Sequence, residues 1–125
     1  MPGSDPVPGD VYVADTDTYS EPDPKSRRPI AIVRSAFRGR VAVMARTTDV
    51  TVPGVLTPAG VVPGLDAPGV FSLRYQHNIL ISEFSTNRLI FLGSLPEPFK
   101  TDVLNLLLDR IMQQAGVQSA GRSRR

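Results

Sequence analysis

The chain has 125 residues, of which 41% are hydrophobic and 21% charged, so it has room for one domain with a modest core. It contains no cysteine, which excludes disulfides, thiolate zinc sites and thiol catalysis, and its single histidine makes a serine–histidine triad hard to assemble. No apolar run approaches the length of a membrane span, and the first ten residues lack the basic and hydrophobic parts of a signal peptide. We therefore expect a cytoplasmic protein with no membrane partner and no bound metal.

The net charge of +2 conceals a strong segregation of charge along the chain. Residues 1–25 carry six acidic residues and one lysine, whereas residues 26–48 carry six arginines and no acid. Arginine suits bidentate contacts with phosphate or carboxylate, because its guanidinium group is planar. The arginine-rich segment is expected either to attract a polyanion or to consist of solvated strand ends and loops beside the acidic N-terminal part.

The N-terminal half predicts strands separated by polar connections. Residues 1–9 are rich in proline and glycine and predict a flexible arm, and residues 10–15 alternate apolar and polar side chains as in a half-buried strand. Residues 16–27 are polar and contain two prolines, which predicts a long mobile connection. The apolar segments 29–34 and 40–46 flank a short turn and predict a hairpin or meander.

The C-terminal half predicts further strands and then a helix. Residues 49–70 contain four prolines, which favours an extended excursion with one short strand, and further strands are predicted at 71–82 and 87–93. A helix is predicted at 96–116, because two prolines suit its first turn and Gly116 suits its end. Its predicted buried face runs through Phe99, Val103, Leu107 and Ile111.

This order of elements predicts a mainly β fold, a small half-open barrel with a C-terminal α-helix packed on it. The barrel domain is expected to span residues 10–116. Residues 117–125, which end in several arginines, are predicted to form a disordered basic tail.

Several short motifs follow one another along the predicted strands, namely Gly9-Asp10-Val11, Arg28-Pro29, Thr47-Thr48, Gln76 and Arg88-Leu89-Ile90-Phe91-Leu92-Gly93-Ser94-Leu95. In this order, and followed by a helix, they resemble the MazF/PemK-type toxins of bacterial toxin–antitoxin systems. The resemblance covers about residues 9–115. It implies an SH3-like barrel, a homodimer, a cognate antitoxin as partner, and metal-independent endoribonuclease activity on single-stranded RNA without a cofactor.

The resemblance also implies which residues act. Carried over by position, the catalytic residues are Arg28 and Thr47, with Thr48 as an adjacent candidate. RNA can be cut through its own 2′-hydroxyl, and a guanidinium and a hydroxyl can stabilise the negative oxygens of the phosphorane that forms.

Further residues are predicted to contact RNA. Arg74 could bind a phosphate and Tyr75 could stack on a base, while Arg27 and Gln76 are candidate contacts beside them. His77 is a candidate for assisting proton transfer, since the ordinary pKa of histidine suits that role.

Two departures from the family keep other functions open. Tyr75 stands where several members have an Asp that could serve as a general base, and the proline-rich stretch 49–70 is unlike the family. The alternatives are a CcdB-like toxin that binds a protein such as DNA gyrase, and a catalytically silent binding or regulatory relative. For Arg28, an ion pair with an acid such as Asp23 is the structural alternative to catalysis.

Overall fold

The structure is a computed structural model and describes residues 5–19, 23 and 25–123, with side chains up to residue 115. The first four residues of the predicted arm and the last two of the predicted tail lie outside the described residues.

The described elements form a curled, antiparallel, six-stranded half-barrel with a C-terminal helix, which confirms the predicted mainly β class. The elements are β1 (Asp10–Asp15), β2 (Arg27–Phe37), β3 (Arg40–Thr47), β4 (Val55–Thr57), β5 (Gly69–Leu80), β6 (Leu89–Ser94) and α1 (Phe99–Ser123). Short 3-10 helices at Thr16–Thr18 and Ile81–Ser85 follow β1 and β5. The strand order is β4-β5-β3-β2-β1-β6, so β4 and β6 lie at the two edges of the sheet.

The strand bounds follow the sequence pattern to within a few residues. β1 occupies the predicted residues, and β3 extends one residue beyond its predicted end. β2 is longer than predicted at both ends. Its pairing with β3 begins at Ile30, so Pro29, which has no N–H to donate, lies where β2 pairs only with β1.

The sheet carries a hydrophobic core on each face, because side chains alternate along a strand. The helix-side core, which α1 and the 49–70 excursion cover, consists of Val11, Ala31, Val33, Ala42, Met44, Val62, Leu65, Phe71, Leu95 and Val103. The distal core on the opposite face consists of Ala14, Tyr19, Ile30, Ile32, Val41, Val43, Ala45, Ile79 and Leu89. The excursion itself contains one short strand, β4, as predicted.

The helix differs from its prediction at the C-terminal end of the apolar stripe. Val103 is fully buried, and Phe99 and Leu107 pack on the helix-side core, but Ile111 is 45% exposed because the helix extends past the sheet that it covers. The helix also continues through Gly116 to Ser123, so the predicted stop at Gly116 is wrong. Glycine within a helix costs about 1 kcal/mol relative to alanine and does not by itself end one. No helix in the described part of the chain has both the length and the hydropathy to cross a membrane.

The last residue of the N-terminal arm, Gly9, is hydrogen-bonded to the sheet on both sides. Pro6 is buried. The Gly9 N–H donates to the carbonyl of Ile32 at 2.8 Å, and the Gly9 carbonyl accepts from the N–H of Leu95 at 2.9 Å. Local composition did not reveal these contacts, since both partners are distant in sequence.

Candidate functional site

Three of the predicted site residues share the distal face of the sheet. Side chains two residues apart on a strand point to the same side. Arg28 on β2, Thr47 on β3 and His77 on β5 each stand two residues from a distal-core residue of their own strand, respectively Ile30, Ala45 and Ile79. Tyr75, two residues before His77, also packs against the distal core.

Arg28 forms a buried ion pair with Asp23. The Arg28 Nε lies 2.7 Å from the Asp23 Oδ2, and the two side chains are 10% and 5% exposed. The Arg28 guanidinium carbon also lies 5.4 Å from the centre of the Tyr75 ring, within the range of a cation–π contact. Of the three Arg28 side-chain nitrogens, only Nε makes a hydrogen bond to a described residue. The ion pair considered from the sequence as the structural alternative for Arg28 is therefore confirmed.

The surroundings of Asp23 favour its ionised form. Burial raises the pKa of this carboxyl. The backbone N–H of Lys25, which donates to Oδ1 at 2.8 Å, the hydrogen bond and charge of Arg28, and the charge of His77 together outweigh burial and lower the pKa. Asp23 is thus a carboxylate at neutral pH.

His77 stacks on Tyr19, a residue of the connection after β1. The ring centres are 4.1 Å apart with an angle of 18° between the planes, and the residues are 7% and 9% exposed. The buried Tyr19 hydroxyl has no hydrogen-bond partner among the described residues. Burial and the charge of Asp23 raise the pKa of Tyr19 far above its usual value, against the opposing charge of Arg28, so the hydroxyl stays protonated.

Arg28 thus contacts Asp23 and Tyr75, and His77 contacts Tyr19. Because Tyr75 and His77 stand two residues apart on one face of β5, the five residues are neighbours on the distal face and are called here the Arg28 cluster. Sequence reasoning named Arg28, Tyr75 and His77 as functional and Asp23 only as a structural partner, and it did not select Tyr19. An aromatic residue within the otherwise polar segment 16–27 was the available signal for a buried side chain there.

The two threonines are placed differently. Thr47 is 8% exposed, and its hydroxyl accepts a hydrogen bond from the Asp49 N–H at 3.1 Å, so it stabilises the turn that ends β3. Thr48 is exposed just beyond the strand. Thr47 thus shares the face of the Arg28 cluster, with its hydroxyl engaged in a local turn.

The other predicted RNA contacts lie outside the Arg28 cluster. Arg27 is exposed and pairs in register with Asp15 of β1. Arg74 is exposed and borders a small cavity of about 220 Å³ that Leu106 of α1 also lines. Gln76 stands opposite Met44 of the helix-side core, so its side chain belongs to the other face of the sheet. The structure therefore divides the predicted RNA-binding set between the two faces.

Arg46 is a structural arginine that sequence reasoning counted only as part of the basic segment. It is 4% exposed, and it donates from Nε to the Thr57 hydroxyl at 3.0 Å and from a terminal nitrogen to the Ala67 carbonyl at 2.8 Å. Burial lowers its pKa. At Gly69 a Cβ would stand 2.7 Å from the Arg46 guanidinium carbon, so the absence of a side chain makes room for it. Through these hydrogen bonds Arg46 holds the 49–70 excursion against β3.

The six arginines of residues 26–48 therefore do not form one continuous basic surface. Arg28 and Arg46 are buried, and the four exposed ones are Arg27, Arg34, Arg38 and Arg40. Arg40 lines an open groove of about 440 Å³ between the 3-10 turn after β1 and the end of β5, and Tyr19 and Asn78 line it as well. In the described residues, no three His, Asp or Glu side chains lie close enough together to hold a metal ion.

The chain matches no protein-family model and no curated protein. The resemblance to MazF/PemK-type toxins, the SH3-like assignment and the homodimer thus stay predictions that rest on the motifs. The half-barrel with its C-terminal helix fits a small barrel fold.

Proposed function

We propose that the protein is a metal-independent endoribonuclease that cleaves single-stranded RNA at the Arg28 cluster. The observation that supports this most directly is the meeting of a guanidinium, a carboxylate, an imidazole and a phenol on the distal face. Groups of these types can support RNA cleavage without a metal, because the nucleophile belongs to the substrate. The motif resemblance adds that the enzyme is the toxin of a toxin–antitoxin pair and acts as a homodimer.

In the proposed reaction the RNA 2′-oxygen attacks the adjacent phosphorus, and the bond from phosphorus to the 5′-oxygen breaks. His77 accepts the 2′-hydroxyl proton, and the 5′-oxygen leaves with a proton from solvent. Asp23 holds the Arg28 guanidinium by Nε, which leaves the terminal nitrogens to donate to the phosphate oxygens as charge develops on them. The products are a 2′,3′-cyclic phosphate and a free 5′-hydroxyl.

The decisive experiment incubates the purified protein with a long single-stranded RNA in the presence of a strong chelator, followed by mapping of the cut ends. We expect cleavage that leaves cyclic phosphates. A matched substrate with a single 2′-deoxy residue at a mapped cut site should be resistant there. Cleavage that needs added magnesium, or that persists at the deoxy position, would refute the proposed chemistry.

A second candidate is a protein-binding module that cuts nothing, such as a CcdB-like toxin or a silent relative. The observation that favours it is the low exposure of Arg28, whose side chain is 10% exposed and already paired with Asp23. This candidate predicts a folded protein that leaves every tested RNA intact.

A further inference from the structure

The Tyr19 hydroxyl is an unexpected polar group among the described residues. Tyr19 is 9% exposed, and its hydroxyl is buried with no hydrogen-bond partner in the part of the chain that is described. Buried polar groups in native proteins are nearly always hydrogen-bonded, so each exception calls for an explanation. The stacking of Tyr19 on His77 uses the ring alone, and phenylalanine would pack there without burying an unsatisfied hydroxyl.

The surroundings of Tyr19 in the Arg28 cluster indicate a ligand-binding role for its hydroxyl. Tyr19 stacks on His77, and Arg28 lies over the ring of Tyr75, which stands two residues before His77 on the same face of β5. The phenol and the guanidinium therefore share one region of the distal face. The terminal nitrogens of Arg28 make no hydrogen bond to any described residue. Tyr19 is also one of the residues that line the open groove beside Arg40 and Asn78. A neutral phenolic donor and the free edge of a guanidinium together suit an oxyanion with several acceptor atoms.

We propose that the Tyr19 hydroxyl donates a hydrogen bond to the same RNA phosphodiester group that Arg28 binds. This inference rests on the proposed function and adds Tyr19 as a binding residue that the motif resemblance did not supply. Because the hydroxyl stays protonated, it serves as a hydrogen-bond donor over the whole physiological pH range.

The test is Tyr19→Phe, which removes one oxygen and retains the ring. Binding is measured by fluorescence anisotropy with a labelled 2′-O-methyl oligoribonucleotide of mixed sequence, which cannot be cleaved. We expect affinity to fall by roughly 10-fold or more, the usual loss for a hydrogen bond to a charged group. The melting temperature should stay the same or rise, because the variant no longer buries an unsatisfied hydroxyl. The matched control is Tyr12→Phe, whose ring packs edge-to-face with Phe84 and Phe91 outside the Arg28 cluster and whose replacement should leave affinity unchanged.

The outcomes separate this inference from the proposed function. Unchanged affinity in Tyr19→Phe would overturn the inference, even if the wild type cleaves RNA. A fall in affinity together with a fall in melting temperature would also overturn it, because the hydroxyl would then be structural. If the wild type binds the oligonucleotide, loses affinity only through Tyr19→Phe and cleaves no RNA, the Tyr19 contact is supported and the endoribonuclease activity is refuted. If the wild type does not bind the oligonucleotide at all, both fail.

Discussion

The Arg28 Nε and the Asp23 Oδ2 lie 2.7 Å apart in surroundings that leave at most 10% of either side chain exposed. Asp23 belongs to the connection between β1 and β2, and Arg28 is the second residue of β2. A charge pair so well shielded from water has consequences for stability that an exposed pair does not have.

Replacement of Asp23 by alanine should destabilise the fold. Removal of one partner leaves the Arg28 charge buried without compensation, which we expect to cost about 3 kcal/mol of unfolding free energy. Urea denaturation followed by circular dichroism measures the change. The matched control is Glu83→Gln, which breaks the more exposed pair between Glu83 and Arg88 at 3.4 Å, whose side chains are 19% and 39% exposed, and should cost less than about 1 kcal/mol. Equal effects in the two variants would contradict the buried nature of the Asp23–Arg28 pair.

The Asp23–Arg28 pair should also make the unfolding free energy depend on pH in the acid range. The folded pKa of Asp23 is lower than its unfolded value of about 4, so the contribution of the pair is complete above that pH and is lost as pH falls through the folded pKa. Asp49 and Glu97, whose pKa values are lowered by hydrogen bonds from Thr51 and Thr101, act in the same direction.

The quantity to compare is therefore the unfolding free energy of the wild type and of Asp23→Asn, whose amide cannot titrate. The difference between the unfolding free energies of the two proteins should narrow as pH is lowered from 7 to 3. A constant gap across this range would show that Asp23 does not titrate as part of the pair.

Arg28→Ala should reduce RNA cleavage on the order of 100–1,000-fold, the usual loss for one preorganised donor to a developing oxyanion. Arg28→Lys should restore little, because an ammonium cannot both hold Asp23 through one nitrogen and present a planar edge to the phosphate. The assay follows cleavage rates at a temperature where thermal melts show each variant folded. The control is Arg34→Ala, an exposed residue of the same strand, which should cleave at a rate close to that of the wild type. Wild-type rates in Arg28→Ala would rule out a catalytic role for Arg28.

Arg46→Leu should destabilise the protein without a specific effect on RNA. The substitution leaves the buried Thr57 hydroxyl and the Ala67 carbonyl without the donor that they share, at an expected cost of about 2–4 kcal/mol. Chemical denaturation measures this loss, and the control Arg34→Leu should change stability by less than about 0.5 kcal/mol. A stable Arg46→Leu variant with weakened RNA binding would show that Arg46 belongs to the RNA surface instead of the core.

Local patterns in the sequence were sufficient for most of the sheet. Alternation of apolar and polar side chains predicted β1 without error, and the prolines of 49–70 correctly limited that stretch to one short strand. These features depend on residues that are neighbours in the chain, and the physical reasons, side-chain alternation and the missing proline N–H, act locally. The end of the helix was predicted wrongly at Gly116, where the cost of glycine is too small to end a helix by itself.

The composition of the Arg28 cluster was decided by the tertiary structure. The sequence contains six acidic residues before Arg28, and nothing local indicates that Asp23 is the one that meets it or that Tyr19 folds back onto His77. Arg28 and Arg46 also look alike in the arginine-rich segment 26–48. Arg28 nevertheless pairs with a carboxylate, whereas Arg46 donates to a hydroxyl and to carbonyls of the distant 49–70 excursion. Such partners are set by strand pairing and by the course of long connections. A desolvated charge must find its compensation in three dimensions, wherever along the chain the compensating group lies.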